Sequence, residues 1–164
     1  GRGFLQAGHK TEIKKEMGTL TRKSYTEKLH DSKDMPVVKE LTDQKAIARY
    51  GGAKMLIAPP LAYDEIMAKV PAGKLLTADS IRDHLAKKHQ ADFTCPLTAG
   101  IFMNIVAYAS EDWRTLKKDG ELNPKYPGGI EKQQERLEAE GHTIIQKGKR
   151  FFVQDCQDKL FELE

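Results

Sequence analysis

Cysteine, tryptophan and net charge are all scarce in this chain of 164 residues. Two cysteines cannot build a disulfide framework at this length, so a reducing, cytoplasmic setting is expected. No apolar run approaches the roughly 20 residues that span a bilayer. The longest, Ala99 to Ala109, is interrupted by Gly100 and Asn104, so no membrane partner is expected. Lysine and arginine number 27 against 24 acids, leaving +3. That balance allows a local phosphate-binding patch but does not by itself call for nucleic acid. His84 and His89 are five apart and do not share a helical face. With Asp92 they make a poor ligand set, so no metal is expected, and no cofactor either. No internal repeat is found.

What is present divides into three parts. Residues 1–16 have no clean period and read as a cloning remnant or a flexible arm. If native, Lys10, Lys14 and Lys15 would make that arm basic. Residues 17–58 read as an N-terminal extension without a chemical motif, and 59–164 as the main domain. Within the extension, Ser24 to His30 suits a short helix. A second helix, DQKAIARY, has Thr42 ahead of it as a cap and Gly51-Gly52 as a stop. MLIA (55–58) reads as a strand closed by Pro59 and Pro60.

In the main domain, Tyr63, Ile66, Met67 and Val70 recur at helical spacing until Pro71 and Gly73 break the pattern. Thr77 caps the next helix, whose core face carries Ile81 and Leu85. Thr94 before Cys95-Pro96 suits a cap followed by proline in the first turn, opening a helix to about Ser110. Two helices joined by the short turn HQADFT make a helix-turn-helix candidate. Asp119-Gly120 and Lys147-Gly148 mark two hairpin turns. Gly128-Gly129 opens a helix that ends at Gly141, and residues 156–163 suit a short amphipathic helix. The expected fold is α/β: a winged helix, meaning a helix-turn-helix plus hairpin, with a small N-terminal extension.

The order of these pieces resembles a known family. VPAGKLLTADSIRDHLA is similar to the segment of alkylguanine-DNA alkyltransferases in which a Val-Pro-x-Gly turn leads into the helix-turn-helix. WRTLKKDGELNPKYPGGIEKQQERLEAEG is similar to their active-site strand, glycine hairpin and last helix. The resemblance covers roughly residues 61–142. The family's strand reads Pro-Cys-His-Arg-Val, and the matching residues are Glu111, Asp112, Trp113, Arg114 and Thr115. Asp112 therefore stands at the nucleophile's position and Trp113 at that of its activating histidine. Glu140 matches the glutamate that orients the histidine. Alkyl transfer needs a thiolate and a base to generate it. A carboxylate is a far poorer nucleophile toward carbon, and indole is no base. The resemblance is thus closest to the cysteine-lacking alkyltransferase-like proteins, and it implies no enzyme activity. The tyrosine and arginine such proteins use to extrude a base fall here on Ala78 and near Cys95.

The resemblance implies a pocket of Asp112, Trp113, Arg114, Tyr126, Glu140 and Asn104. Trp113 fits either a pocket wall that stacks on a flat ligand or an ordinary core position. Arg114 would bind phosphate or pair with Glu140, and Glu140, without its histidine, would bond backbone or Arg114. Double-stranded DNA is the expected partner, through Lys117, Lys118 and Lys125 on the first hairpin and Lys147, Lys149 and Arg150 on the second. The helix from Pro96 to Ser110 argues the other way. It has no charge before Glu111, and an all-apolar helix is expected to be buried. The functions expected are thus a non-catalytic DNA binder or alkylated-base sensor, a protein-interaction or small-ligand module reusing the fold, or an enzyme built on Cys95.

Overall fold

The computed structural model describes residues 22–163. The arm expected over 1–16 lies outside them. Along the described residues short strands alternate with six α-helices. They are α1 (Arg22–Leu29), β1 (Val37–Glu40), α2 (Gln44–Tyr50), β2 (Lys54–Ile57), α3 (Pro60–Met67), β3 (Leu76–Thr77) and α4 (Ala78–Lys88). There follow β4 (Phe93–Thr94), α5 (Pro96–Ser110), β5 (Thr115–Leu116), α6 (Gly129–Ala139), β6 (Ile144–Lys147) and β7 (Arg150–Val153). The fold is mixed α/β, and α4, β4 and α5 form the helix-turn-helix.

The stretch read as an extension shares the main core. Strand β2 pairs antiparallel with β1 and parallel with β4, inside the turn of the helix-turn-helix. Leu29, Leu56 and Ala58 pack with Tyr63, Ile66, Met67, Val70, Ile81, Leu85 and Val106 in one cluster. Helix α1 lies on α5, where Tyr25 and Tyr108 stack with ring centroids 4.3 Å apart. A second cluster holds Leu75, Leu116, Leu122, Leu137, Val153 and Cys156. Successive strand residues point to opposite faces, so Leu75 enters one cluster and Leu76 the other.

Several local expectations need correction. Asp43, not Thr42, caps α2, its carboxylate accepting from the Ala46 N–H at 3.3 Å. The cap position of α5 is Cys95; Thr94 sits in β4 and donates its hydroxyl to the Arg82 carbonyl at 2.7 Å. Strand pairing with β2 took Thr94 out of reach of the helix start. Asp119-Gly120 makes its turn, both at positive φ, but no two-stranded ladder follows. Strand β5 pairs with β3 instead, and Glu121 pairs with Phe152 of β7. The second hairpin forms, with its turn at Gly148 and Lys149 between β6 and β7. The closing helix shrinks to one 3-10 turn, Cys156–Lys159. Its continuation is claimed by the sheet: Leu160 bridges Leu75, and the Phe161 N–H donates to the Leu75 carbonyl at 2.8 Å.

Candidate nucleic-acid interface

Helix α5 ends in a left-handed turn at Glu111 (φ 53°), which swings residues 112–115 back across the core. Asp112 then folds its carboxylate over the next peptide bonds. One oxygen accepts the N–H groups of Arg114 and Thr115, each at 3.1 Å. Burial nevertheless pushes its pKa up to about 6, against those bonds.

Arg114 behaves as a tie. Its Nε donates to both Glu140 oxygens at 3.0 and 3.1 Å, and its Nη1 donates to the Val70 carbonyl at 2.9 Å. Glu140 also accepts the Gly73 N–H at 3.3 Å. The Val70–Gly73 turn, the approach to β5 and the end of α6 are thereby fastened together. The guanidinium holds the Glu140 carboxyl below the usual carboxylate range, and Glu140 raises Arg114 in return. Both roles expected of Glu140, bonding backbone and Arg114, are present. Trp113 is half-buried, with Arg114 4.9 Å and Arg136 5.2 Å from its ring centroid.

The six residues read as one pocket do not meet in one. Asp112, Trp113 and Arg114 line a small cleft of about 170 Å³ with Asp64, Ser110 and Glu111. Glu140 holds Arg114, and Tyr126 is buried behind the turn before α6, where burial raises its hydroxyl pKa. Asn104 belongs elsewhere: its carbonyl oxygen accepts from Asn123 at 2.9 Å, on the wall of a larger cleft. The separation follows from the helix. Asn104 sits two turns before the end of α5, and residues 112–114 lie past it.

That larger cleft, about 420 Å³, lies between α5 and residues 115–125. Gly100, Met103 and Asn104 form one side, and Thr115, Leu116, Asn123 and Pro124 the other. Arg82, Lys117, Lys118 and Lys125 also line it. Lys117 has a distant acidic partner, Glu121 at 3.9 Å. Among the described residues, Arg82, Lys118 and Lys125 have no ion pair within 4.0 Å. The second basic group is differently placed. Arg150 donates to Glu121 at 2.8 Å, and Lys147 and Arg150 flank the Phe152 ring in a separate cleft with Asp119, Asp155 and Asp158. Lys149 is exposed in the turn.

Burial of α5 is one-sided, contrary to expectation. Ala99, Met103, Ile105, Val106 and Ala107 are buried, whereas Leu97 is 72% and Ile101 49% exposed. Two residues escaped the sequence reading. Arg82 joins the cleft because it lies on α4 beside the buried Ile81. Gln133 is buried and clamps two loops: its Oε1 accepts the Asn123 N–H at 2.8 Å, and its Nε2 donates to the Trp113 carbonyl at 3.1 Å. A glutamine between Ile130 and Leu137 on the inner stripe of α6 was the available signal.

The chain is similar to solved structures of Atl1 from S. pombe. One, Atl1 in complex with damaged DNA containing O6-carboxymethylguanine, aligns with TM-score 0.46 and 18% identity over 63% of this chain and 94% of that one. Another, S. pombe ATL in complex with DNA, gives TM-score 0.39 and 18% identity over 61% and 97%. No family model and no curated protein matches. What this chain does has to be read from its own residues.

Proposed function

We propose that this chain is a non-catalytic, alkyltransferase-like binder of double-stranded DNA that senses alkylated bases. The carrying observation is the cleft between α5 and residues 115–125, where Arg82, Lys118 and Lys125 have no ion pair within 4.0 Å among the described residues. Cations left unmatched beside a helix-turn-helix are suited to phosphates, and phosphate contacts supply most of the affinity of such proteins. Asp112 supports the non-catalytic part. Its carboxylate is engaged by two backbone N–H groups, and neither thiol lines the small cleft it occupies. Cys95 caps α5, and Cys156 is buried in the second core with its pKa pushed up to about 11, which keeps it a thiol.

The test is anisotropy of a labelled duplex across a salt series. Binding should weaken steeply with salt, and Lys118→Ala with Lys125→Ala should lower the log–log slope by about 2. Absence of duplex binding at low salt would remove the proposal. Incubation with a duplex carrying O6-methylguanine should leave the protein unmodified, and stoichiometric methyl transfer would overturn the non-catalytic part. Tighter binding to that duplex than to its unmodified twin is the result expected of a sensor.

A protein-docking module is the second reading. It is favoured by Leu97 and Ile101, apolar side chains held out to solvent.

A further inference from the structure

We infer that the open groove between the outer side of α4 and residues 161–163 is a docking site for an acidic peptide segment of a partner protein, one that carries an apolar side chain among its carboxylates. This goes beyond the DNA-binding reading and does not depend on it.

The groove encloses about 790 Å³, more than the cleft beside α5. One side is a stripe of α4, Ser80, Asp83, His84, Lys87 and Lys88, at helical spacings of three and four. Arg82, which lines the cleft beside α5, lies about 200° round the helix from Ser80. The groove therefore faces away from that cleft, and a duplex lying there leaves it open. Lys69 stands at the rim, just past α3. The apolar part is Phe161 and Leu163, both partly buried against the main core. It is held in place by Leu160, which bridges Leu75, and by the Phe161 N–H, which donates to the Leu75 carbonyl at 2.8 Å.

The charge in this groove is one-sided. Lys69, Lys87 and Lys88 are exposed and have no ion pair within 4.0 Å among the described residues. Burial, and then the ammoniums of Lys88, Lys69 and Lys87, lower the His84 pKa, so positive charges from two elements converge on one imidazole. Among the described residues Asp83 is the carboxylate in the lining, and it pairs with none of these lysines. An excess of positive charge beside a fixed apolar patch complements carboxylates that flank an apolar side chain. A nucleic-acid backbone suits the groove less well. Its phosphates would meet Asp83, and they have nothing to set against Phe161 and Leu163. Free phosphate would find little more than mobile lysine stems, because the Ser80 hydroxyl already donates to the Thr77 carbonyl at 2.7 Å.

The experiment uses the full chain and an array of synthetic peptides of about eight residues, rich in Asp and Glu, with and without one Phe, Leu or Trp. Acidic peptides with the apolar residue should bind, and twins with Asn and Gln for the acids should bind at least about tenfold more weakly. Replacing the apolar residue by alanine should cost about fivefold, as loss of an anchor does. Binding should move the His84 ring resonances in NMR spectra. Lys69→Glu with Lys87→Glu should weaken the best peptide at least about tenfold, and Leu163→Ala about threefold. Urea denaturation of both variants checks that the fold is kept. Lys118→Ala with Lys125→Ala should bind the peptide as the wild type does. Acidic peptides binding no better than their amide twins would overturn the proposal. So would tight binding that leaves the His84 resonances still or ignores the reversal at Lys69 and Lys87. If that reversal weakened duplex binding as much as reversal at Lys118 and Lys125, the groove would belong to nucleic acid instead. Inorganic phosphate displacing the peptide at micromolar concentration would make it a simple anion site.

Discussion

Two groups of charged residues sit on either side of β5 and behave oppositely. On one side Arg114, Glu140, the Gly73 N–H and the Val70 carbonyl satisfy one another. On the other, Arg82, Lys118 and Lys125 face a cleft where, among the described residues, no carboxylate lies within 4.0 Å of them. The residue types hardly differ; the accounting of partners does. A charge that finds its partner inside the chain is spent on holding the fold. A charge left without one is available to something outside. The same contrast divides the two basic turns, since Arg150 is matched by Glu121 and Lys118 has no ion pair among the described residues.

Removing Arg114 should break that contrast most strongly. Arg114→Ala strands the Glu140 carboxylate, whose side chain is 11% exposed, and frees the Val70 carbonyl. The loss should be about 3 kcal/mol, the low end for stranding one member of a buried pair. Lys118→Ala should change stability by less than about 0.5 kcal/mol, as surface positions do. Urea denaturation measures both. Equal losses would mean that the two groups do not differ in kind.

Asp112 sharpens the closed side. Its folded pKa, about 6, is raised above the ordinary 3.8. The native state therefore holds a proton that the unfolded chain has released. The stability this contributes is complete below about pH 4 and is lost as pH rises toward 6, then stays flat. The loss should be on the order of 2–3 kcal/mol. Asp112→Asn keeps an acceptor for the Arg114 and Thr115 N–H groups but cannot titrate. The wild-type minus variant difference in unfolding free energy should fall between pH 4 and 6. His142, buried with a lowered pKa, imposes the opposite slope below about 6.5. That slope is common to both proteins and cancels. A flat difference would show that the Asp112 carboxyl is solvated.

Much of the architecture was legible because it is local. The stop at Gly51, the turn at Asp119-Gly120 and the helices over 60–67, 78–88 and 96–110 follow from spacing, glycine and proline. Long-range pairing was not legible. Nothing in a two-residue strand such as Phe93–Thr94 announces that it joins Lys54–Ile57, and that join folded the stretch read as an extension into the main core. The α5 helix misled for a related reason. Its composition says buried, but only its neighbours decide which of its apolar residues are covered, and among the described residues Leu97 is left 72% exposed. Arg114 and Glu140 were readable as a pair through the family resemblance. Gln133 was not, because its partners are the carbonyl of Trp113 and the N–H of Asn123, which no side-chain pattern reveals.

The two glycine turns extend the comparison to the backbone. Gly120 has φ +83°, and an added Cβ would lie 2.7 Å from the Cys156 Cβ and 2.9 Å from its sulfur. Gly148 has φ +65° with nothing within 4 Å. Alanine at either position meets left-handed strain of about 1–2 kcal/mol, but only at Gly120 must the second core also move. Gly120→Ala should therefore melt lower than Gly148→Ala, by about 1–2 kcal/mol once converted. Equal melting would place Cys156 on a yielding part of the core.

The smallest effect is expected on the matched side of the basic surface. Lys147 lies over the Phe152 ring in a cleft whose lining includes Asp119, Asp155 and Asp158, acids that disfavour a bound phosphate there. Reversing Lys147 and Lys149 to Glu should lower duplex affinity only about twofold, an effect of the general field that salt screens. The same reversal at Lys118 and Lys125 should cost at least about tenfold, because it places acids where phosphates are to bind. Each pair changes net charge by the same amount, so any difference between them comes from position alone. Equal losses would mean that DNA responds to the total charge of the molecule, and the cleft beside α5 would have no special claim on it.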